Sequence, residues 1–215
     1  MRQAKSTATT ATFYALVDSI IPNTPQLASK LGQIHSVGAT DMDTHAYLIY
    51  QLDHFLNIHV GFSLFEVPLS EPTAELLNAA AGQVIETGSN VEPLHHYLYV
   101  KNAPFTMLSR TDRLRSVTLM ERLQVDLSRL PVPFQHNGGL VQFMMDTLNR
   151  LIYFGYYSEW AGYGATRLYS PDWRKLEFFP VSWLQAGYPG PAYGYRAYRG
   201  HLLKYPRKGE EEHVR

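Results

Sequence analysis

The stretch LVQFMMDTLNRLIYF, Leu140 to Phe154, decides the fold. Val141, Phe143, Met144, Met145, Leu148, Leu151 and Ile152 leave it apolar on nearly every side, so it predicts a central helix, entered from the turn Asn137-Gly138-Gly139. Such a helix needs other helices around it, and the chain to its N-terminal side supplies them. Ser109 followed by Asp112 resembles a capping box, and Leu114, Val117, Met120, Leu123 and Leu127 recur behind it at helical spacing until Pro131. Thr73 to Thr87 carries the small face Ala79-Ala80-Ala81 and closes at Gly88. Asp41 or Asp43 can cap a long helix to about Val60, with apolar side chains at 48, 49, 52, 55, 56 and 60. Phe13, Leu16, Val17, Ile20 and Ile21 form a further stripe that Pro22 ends, and a short helix is expected within Pro93 to Val100.

The expectation is an all-α helical bundle of five to six helices with a long irregular aromatic-rich C-terminal region. Residues 1–9 read as a disordered polar arm, 10–205 as a single helical domain including an aromatic wrap from about 154, and 206–215 as a charged tail. Residues 22–40 read as a connection.

Tyr153 to Tyr205 holds all three tryptophans and ten of the fifteen tyrosines, broken up by Gly and Pro. This composition suits irregular backbone held down by large rings whose O–H and N–H tips find partners. Packing or partner contact is the better first reading, because few groups here can do chemistry. Tyr156, Tyr157, Trp160, Trp173, Trp183 and Tyr188 are the expected partner contacts, since Trp and Tyr dominate the energetics of protein interfaces.

Composition excludes several functions. Nineteen basic and nineteen acidic side chains cancel, which predicts neither a nucleic-acid footprint nor attraction to an anionic membrane. No run of apolar residues reaches a membrane span. The absence of cysteine removes disulfides, thiolate metal sites, covalent haem attachment and cysteine nucleophiles together. There is no Gly-x-Ser-x-Gly elbow, and Gly138-Gly139 lacks the Lys-Ser/Thr pair of a phosphate cradle. Nine histidines raise a metal hypothesis, but His45, His54 and His59 are nine and five residues apart, without the i,i+4 pair that presents two ligands on one face. A metal-dependent helical protein using His45, His54, His59 or His95 is one rival reading. A stand-alone carbohydrate-binding or hydrolytic protein, its rings lining a groove, is the other.

Three blocks carry a family resemblance: Leu16-Val17-Asp18-Ser19-Ile20-Ile21-Pro22; Phe105-Thr106-Met107-Leu108-Ser109 with Arg113; and Gly155-Tyr156-Tyr157-Ser158-Glu159 with Trp183 and Gly187-Tyr188-Pro189-Gly190. In this order they resemble the gluconate 2-dehydrogenase subunit 3 family, the small or gamma subunits of flavin-dependent sugar and polyol dehydrogenases. The resemblance implies a non-catalytic accessory subunit with no cofactor of its own. Its implied partner is a large FAD-dependent dehydrogenase of the glucose-methanol-choline type, which it matures and stabilises, with a cytochrome c subunit as electron acceptor in many such complexes. It also implies a part in export of the folded pair. The start Met1-Arg2-Gln3-Ala4-Lys5 lacks a twin-arginine pair, so the expected location is periplasmic or cell-surface by co-export with a partner that carries the signal, or cytoplasmic. Residues 66–102 lie outside the resemblance.

Overall fold

The computed structural model describes residues 6–56, 58–60 and 65–190. Seven α-helices form among them: α1 Thr7–Ile20, α2 Pro25–Leu31, α3 Thr44–His54, α4 Ser70–Glu86, α5 Arg110–Glu121, α6 Gly138–Tyr157 and α7 Val181–Ala186. The one sheet among the described residues is a small antiparallel hairpin, Ile58–Val60 against Phe65–Val67, with His59 opposite Glu66. The chain is therefore mostly helical.

The centre of the bundle is α1, which packs against α3, α4 and α5, while α6 lies on α3 and α5. Phe13, Leu16 and Val17 of α1 meet Leu48 and Leu52 of α3, Leu76, Leu77, Ala80 and Ala81 of α4, Met120 of α5 and Met144, Leu148 and Ile152 of α6 in one core. The central place expected for 140–154 thus belongs to α1. Val141, Met144, Met145, Leu148 and Ile152 are buried, but Phe143, Tyr153, Phe154 and Tyr157 stand exposed along the outer side of α6.

Several boundaries differ from the sequence reading for local reasons. The arm expected over 1–9 is helical from Thr7, because Ser6 Oγ accepts the Thr9 N–H and Thr12 Oγ1 donates to the Ala8 carbonyl. Residues 1–5 lie outside the described residues. The connection 22–40 contains α2, begun by Pro25, whose missing N–H costs nothing at the first helical position. The helix expected to reach Val60 stops at His54 and gives way to the hairpin; Asp43 occupies its N-cap position at φ 50°, without a capping bond from its side chain. α5 ends at Glu121, where Leu123 takes φ 54° and donates to the Met120 carbonyl while Gln124 donates to Leu119. The aromatic region over 158–190 is irregular apart from α7 and short 3-10 turns at Ala161–Thr166 and Pro171–Trp173; residues 191–205 and the tail lie outside the described residues.

Two adjacent side chains of α5 hold the connections together. Asp112 accepts the backbone N–H groups of Val91 (2.8 Å) and Glu92 (3.0 Å) and the Ser109 hydroxyl. Arg113 turns inward and donates to the carbonyls of Phe105 (3.2 Å), Thr106 (2.8 Å) and Ala15 (3.3 Å), with Asp18 at 3.5 Å. Burial pushes this guanidinium below its ordinary pKa and Asp18 opposes the shift. Asp18 is held in turn by a two-pronged contact from Arg110 at 2.7 and 2.9 Å. Asn78 of α4 completes the set, donating to Thr12 and accepting the Phe105 N–H.

Arg113→Met is expected to cost about 3 kcal/mol, because three buried carbonyls lose their donors together. Urea unfolding checks it: the midpoint falls with little change in slope. A midpoint equal to that of the parent chain would show that the network contributes nothing.

Candidate functional site

The C-terminal aromatic segment is fixed to the bundle by three rings. Tyr156 is buried, and its hydroxyl lies 2.8 Å from both the Val37 carbonyl oxygen and Gln185 Oε1. The Gln185 side chain is oriented by its own donation from Nε2 to the Ile34 carbonyl. Trp183 is buried and donates from Nε1 to the Tyr157 carbonyl at 3.0 Å. Trp160, 2% exposed, lies edge-on to Tyr47 at 5.3 Å and tilted against Tyr50 at 5.5 Å, with the Arg167 guanidinium 5.9 Å from its centroid. Its N–H has no acceptor among the described residues, so shape and ring faces hold it.

Of the six residues expected to contact a partner, three are buried in the fold itself and three are exposed. Tyr156 and Trp183 face inward because a large ring with one polar tip gains most where its face is dry and its tip is bonded, whereas Trp160 is held by its ring faces alone. Tyr157, Tyr188 and Trp173, the last 72% exposed, face outward. Phe179, Trp183 and Tyr188 run edge to face at 5.4 and 4.9 Å, so the outward rings continue directly from the anchors.

Residues of α3 and of the loops complete the aromatic layer. Gly155 lets α6 approach α3 closely: a Cβ there would lie 2.4 Å from Tyr47 Cδ1. Arg174 sits 5.5 Å from the Tyr50 ring and 5.8 Å from Tyr163, and donates to the Tyr50 hydroxyl and the Tyr169 carbonyl. Tyr163 donates to Glu159 at 2.9 Å, and its phenol is pushed up to about 12 by burial and by that carboxylate. Tyr47 is also pushed up to about 12, again chiefly by burial, so both rings stay neutral. Arg167 closes the layer with a 2.7 Å ion pair to Asp43.

Beside the Tyr156 anchor lies an open cleft of about 440 Å³, bounded by the end of α1, α2, the C-terminal turn of α6 and α7. Its lining includes Ile20, Ile21 and Pro22, the half-exposed Tyr153 and Tyr157, and His35, Val37 and Gln185. No Asp, Glu, Lys or Arg lines it among the described residues. The three sequence blocks therefore meet. Arg113 ties Phe105 and Thr106 of the second block to Ala15 beside the first, and the cleft brings Ile20 to Pro22 of the first against Tyr156 and Tyr157 of the third.

Three of the described histidines lie against aromatic rings: His45 edge-on to Tyr14, His54 to Tyr50 and His95 to Tyr97. Among the described residues no three of His, Asp and Glu are grouped to hold a metal, and the His59 side chain lies outside them. No helix among them is long and apolar enough to cross a membrane. Comparison with family models, with curated proteins and with solved structures finds no match.

Sequence reasoning missed Tyr47, Tyr50, Arg167, Arg174 and Gln185. Only Tyr47 and Tyr50 carried a signal, their i,i+3 spacing on α3. The arginines and Gln185 lie in a segment without periodicity, where position along the chain does not give direction.

Gly155→Ala is expected to cost about 2 kcal/mol by forcing Tyr47 off Trp160. Thermal melting followed by tryptophan fluorescence checks it, and an unchanged melt would show that the close approach of α6 to α3 is dispensable. His45 gives a pH dependence. Burial pushes its imidazole below the ordinary value, with Asp43 opposing and Arg167 reinforcing the shift. The unfolded chain then takes up the proton first, so this stabilisation is full above the unfolded value of about 6.5 and is lost as pH falls through the depressed one. The His45→Gln variant should lose less stability than the parent between pH 7 and pH 5 in urea titrations; identical slopes would contradict this.

Proposed function

We propose that this chain is a non-catalytic helical subunit that binds, matures and stabilises a large FAD-dependent dehydrogenase of the glucose-methanol-choline type acting on sugars or polyols, and accompanies it in export. The observation that carries the reading is the convergence of the three sequence blocks. Segments far apart in the chain and shared in the resemblance come together: Arg113 ties the 105–106 turn to Ala15 and Asp18, and residues of the first and third blocks line one cleft. A constellation of that kind preserves a surface, since its polar groups are consumed by backbone carbonyls and ring tips.

The outward rings support the same reading. Trp173, Tyr169, Phe178, Tyr157 and Tyr188 are exposed along a segment already fixed by Tyr156, Trp160 and Trp183. Rings held in this way lose little conformational freedom on binding, which is what makes aromatic side chains effective anchors. In this reading the flavin and the substrate belong to the partner, and a cytochrome c subunit takes the electrons in those complexes that contain one.

The test is to recover the tagged chain from its native cells, record the flavin absorbance of the eluate and identify its proteins by mass spectrometry. The expected result is a yellow complex with a large FAD oxidoreductase in constant ratio to this chain. A colourless, solitary chain would contradict the proposal.

A further inference from the structure

We propose that the cleft between α2, the end of α6 and α7 binds one ring of a neutral polyhydroxylated compound, a monosaccharide or cyclic polyol, whether or not the chain has an enzymatic partner. The first reason is charge. With no carboxylate, ammonium or guanidinium among its described lining residues, the cleft offers no counter-charge to a phosphate, a carboxylate or a cation, so nothing in it favours a charged ligand over a neutral one.

The second reason is the walls. Tyr153 and Tyr157, both about half-exposed, line the cleft together with His35 and the aliphatic side chains of Ile20 and Ile21. Aromatic rings with polar tips match a ring whose C–H face is apolar and whose rim carries hydroxyls. Because the cleft is open, hydroxyls that meet no protein group stay in water. A wholly apolar ligand would leave much of its surface wet.

The third reason is an excess of acceptors at the cleft floor. The single Tyr156 O–H lies 2.8 Å from two acceptors, the Val37 carbonyl and Gln185 Oε1. One hydrogen serves one of them well. Gln185 turns its amide nitrogen to the Ile34 carbonyl, which leaves its Oε1 on the side of the Tyr156 hydroxyl. An incoming hydroxyl can donate to that second oxygen in place of solvent, and can accept from Tyr157 or His35 as well. A quinone or other carbonyl compound only accepts, so it leaves this floor unchanged.

The experiment uses the full chain and follows backbone amide shifts by NMR during titration with myo-inositol, methyl glucoside, glucuronate and a water-soluble benzoquinone. The expected result is a saturable one-site response to the two neutral rings, mapped to residues 20–37 and 153–186, with glucuronate weaker. Tyr157→Ala should weaken binding about tenfold with its melting temperature preserved, since the Tyr157 carbonyl still receives Trp183. Tyr153→Ala reads the same wall through a second ring. No saturable response to either neutral ring up to the solubility limit would overturn the proposal. So would undiminished binding by the Tyr153→Ala/Tyr157→Ala double variant, or a response to the quinone stronger than to the polyols.

Discussion

One buried guanidinium sets the geometry on which the rest of the molecule depends. Arg113 reaches from α5 to the Ala15 carbonyl in the middle of α1 and to two carbonyls of the 105–106 turn, while its neighbour Asp112 holds residues 91 and 92 on the other side. A buried charge with its partners removed is among the more costly defects a core can hold, so helix and turns are fixed together. Asp18 adds a carboxylate that Arg110 shares from the surface, and the Ala15 carbonyl also accepts the Ser19 hydroxyl. The consequence reaches the candidate site. With α1 fixed at 15 and 18, Ile20 to Pro22 stand where they line the tyrosine cleft.

The aromatic segment divides its rings between two tasks. Those whose polar tips find bonds inside, Tyr156 and Trp183, or whose faces are fully covered, Trp160, bind the segment to α3 and α6. Tyr157, Trp173 and Tyr188 then project from a backbone that is already ordered. Arginine takes part through ring faces as well as through charge. Arg174 stands between Tyr50 and Tyr163, and Arg167 is shared between Trp160 and Asp43.

Much of the helical core was legible in the sequence because its burial follows the helical period: Leu16 and Val17, Ala80 and Ala81, and Met144, Met145, Leu148 and Ile152 face inward as their spacing requires. Boundaries failed where apolar spacing outlasts the helix. Leu123 and Leu127 continue the α5 pattern, yet Leu123 is left-handed and its methyl groups lie where a Cβ on Gly138 would fall. Phe55 continues α3 in pattern while its N–H closes the last turn onto Gln51. The Thr-rich start of α1 was illegible for the opposite reason: capping by Ser6 and the buried bond from Asn78 to Thr12 leave no apolar stripe. In the site, composition identified the aromatic segment but not the direction of each ring, which depends on acceptors at Val37, Gln185 and Tyr157 that no period predicts.

The central claim is that buried rings hold the segment and exposed rings meet a flavoprotein, and a paired comparison of Trp173→Ala with Trp160→Ala tests it most directly. Each variant is purified from its native cells, and both its melting temperature and the flavin recovered per chain are measured. Trp173→Ala should keep the parent melting temperature and lose flavin recovery, whereas Trp160→Ala should lose about 3 kcal/mol or more of stability. Parent-level flavin recovery by a chain lacking the rings of Trp173, Tyr157 and Tyr188 together would contradict the account.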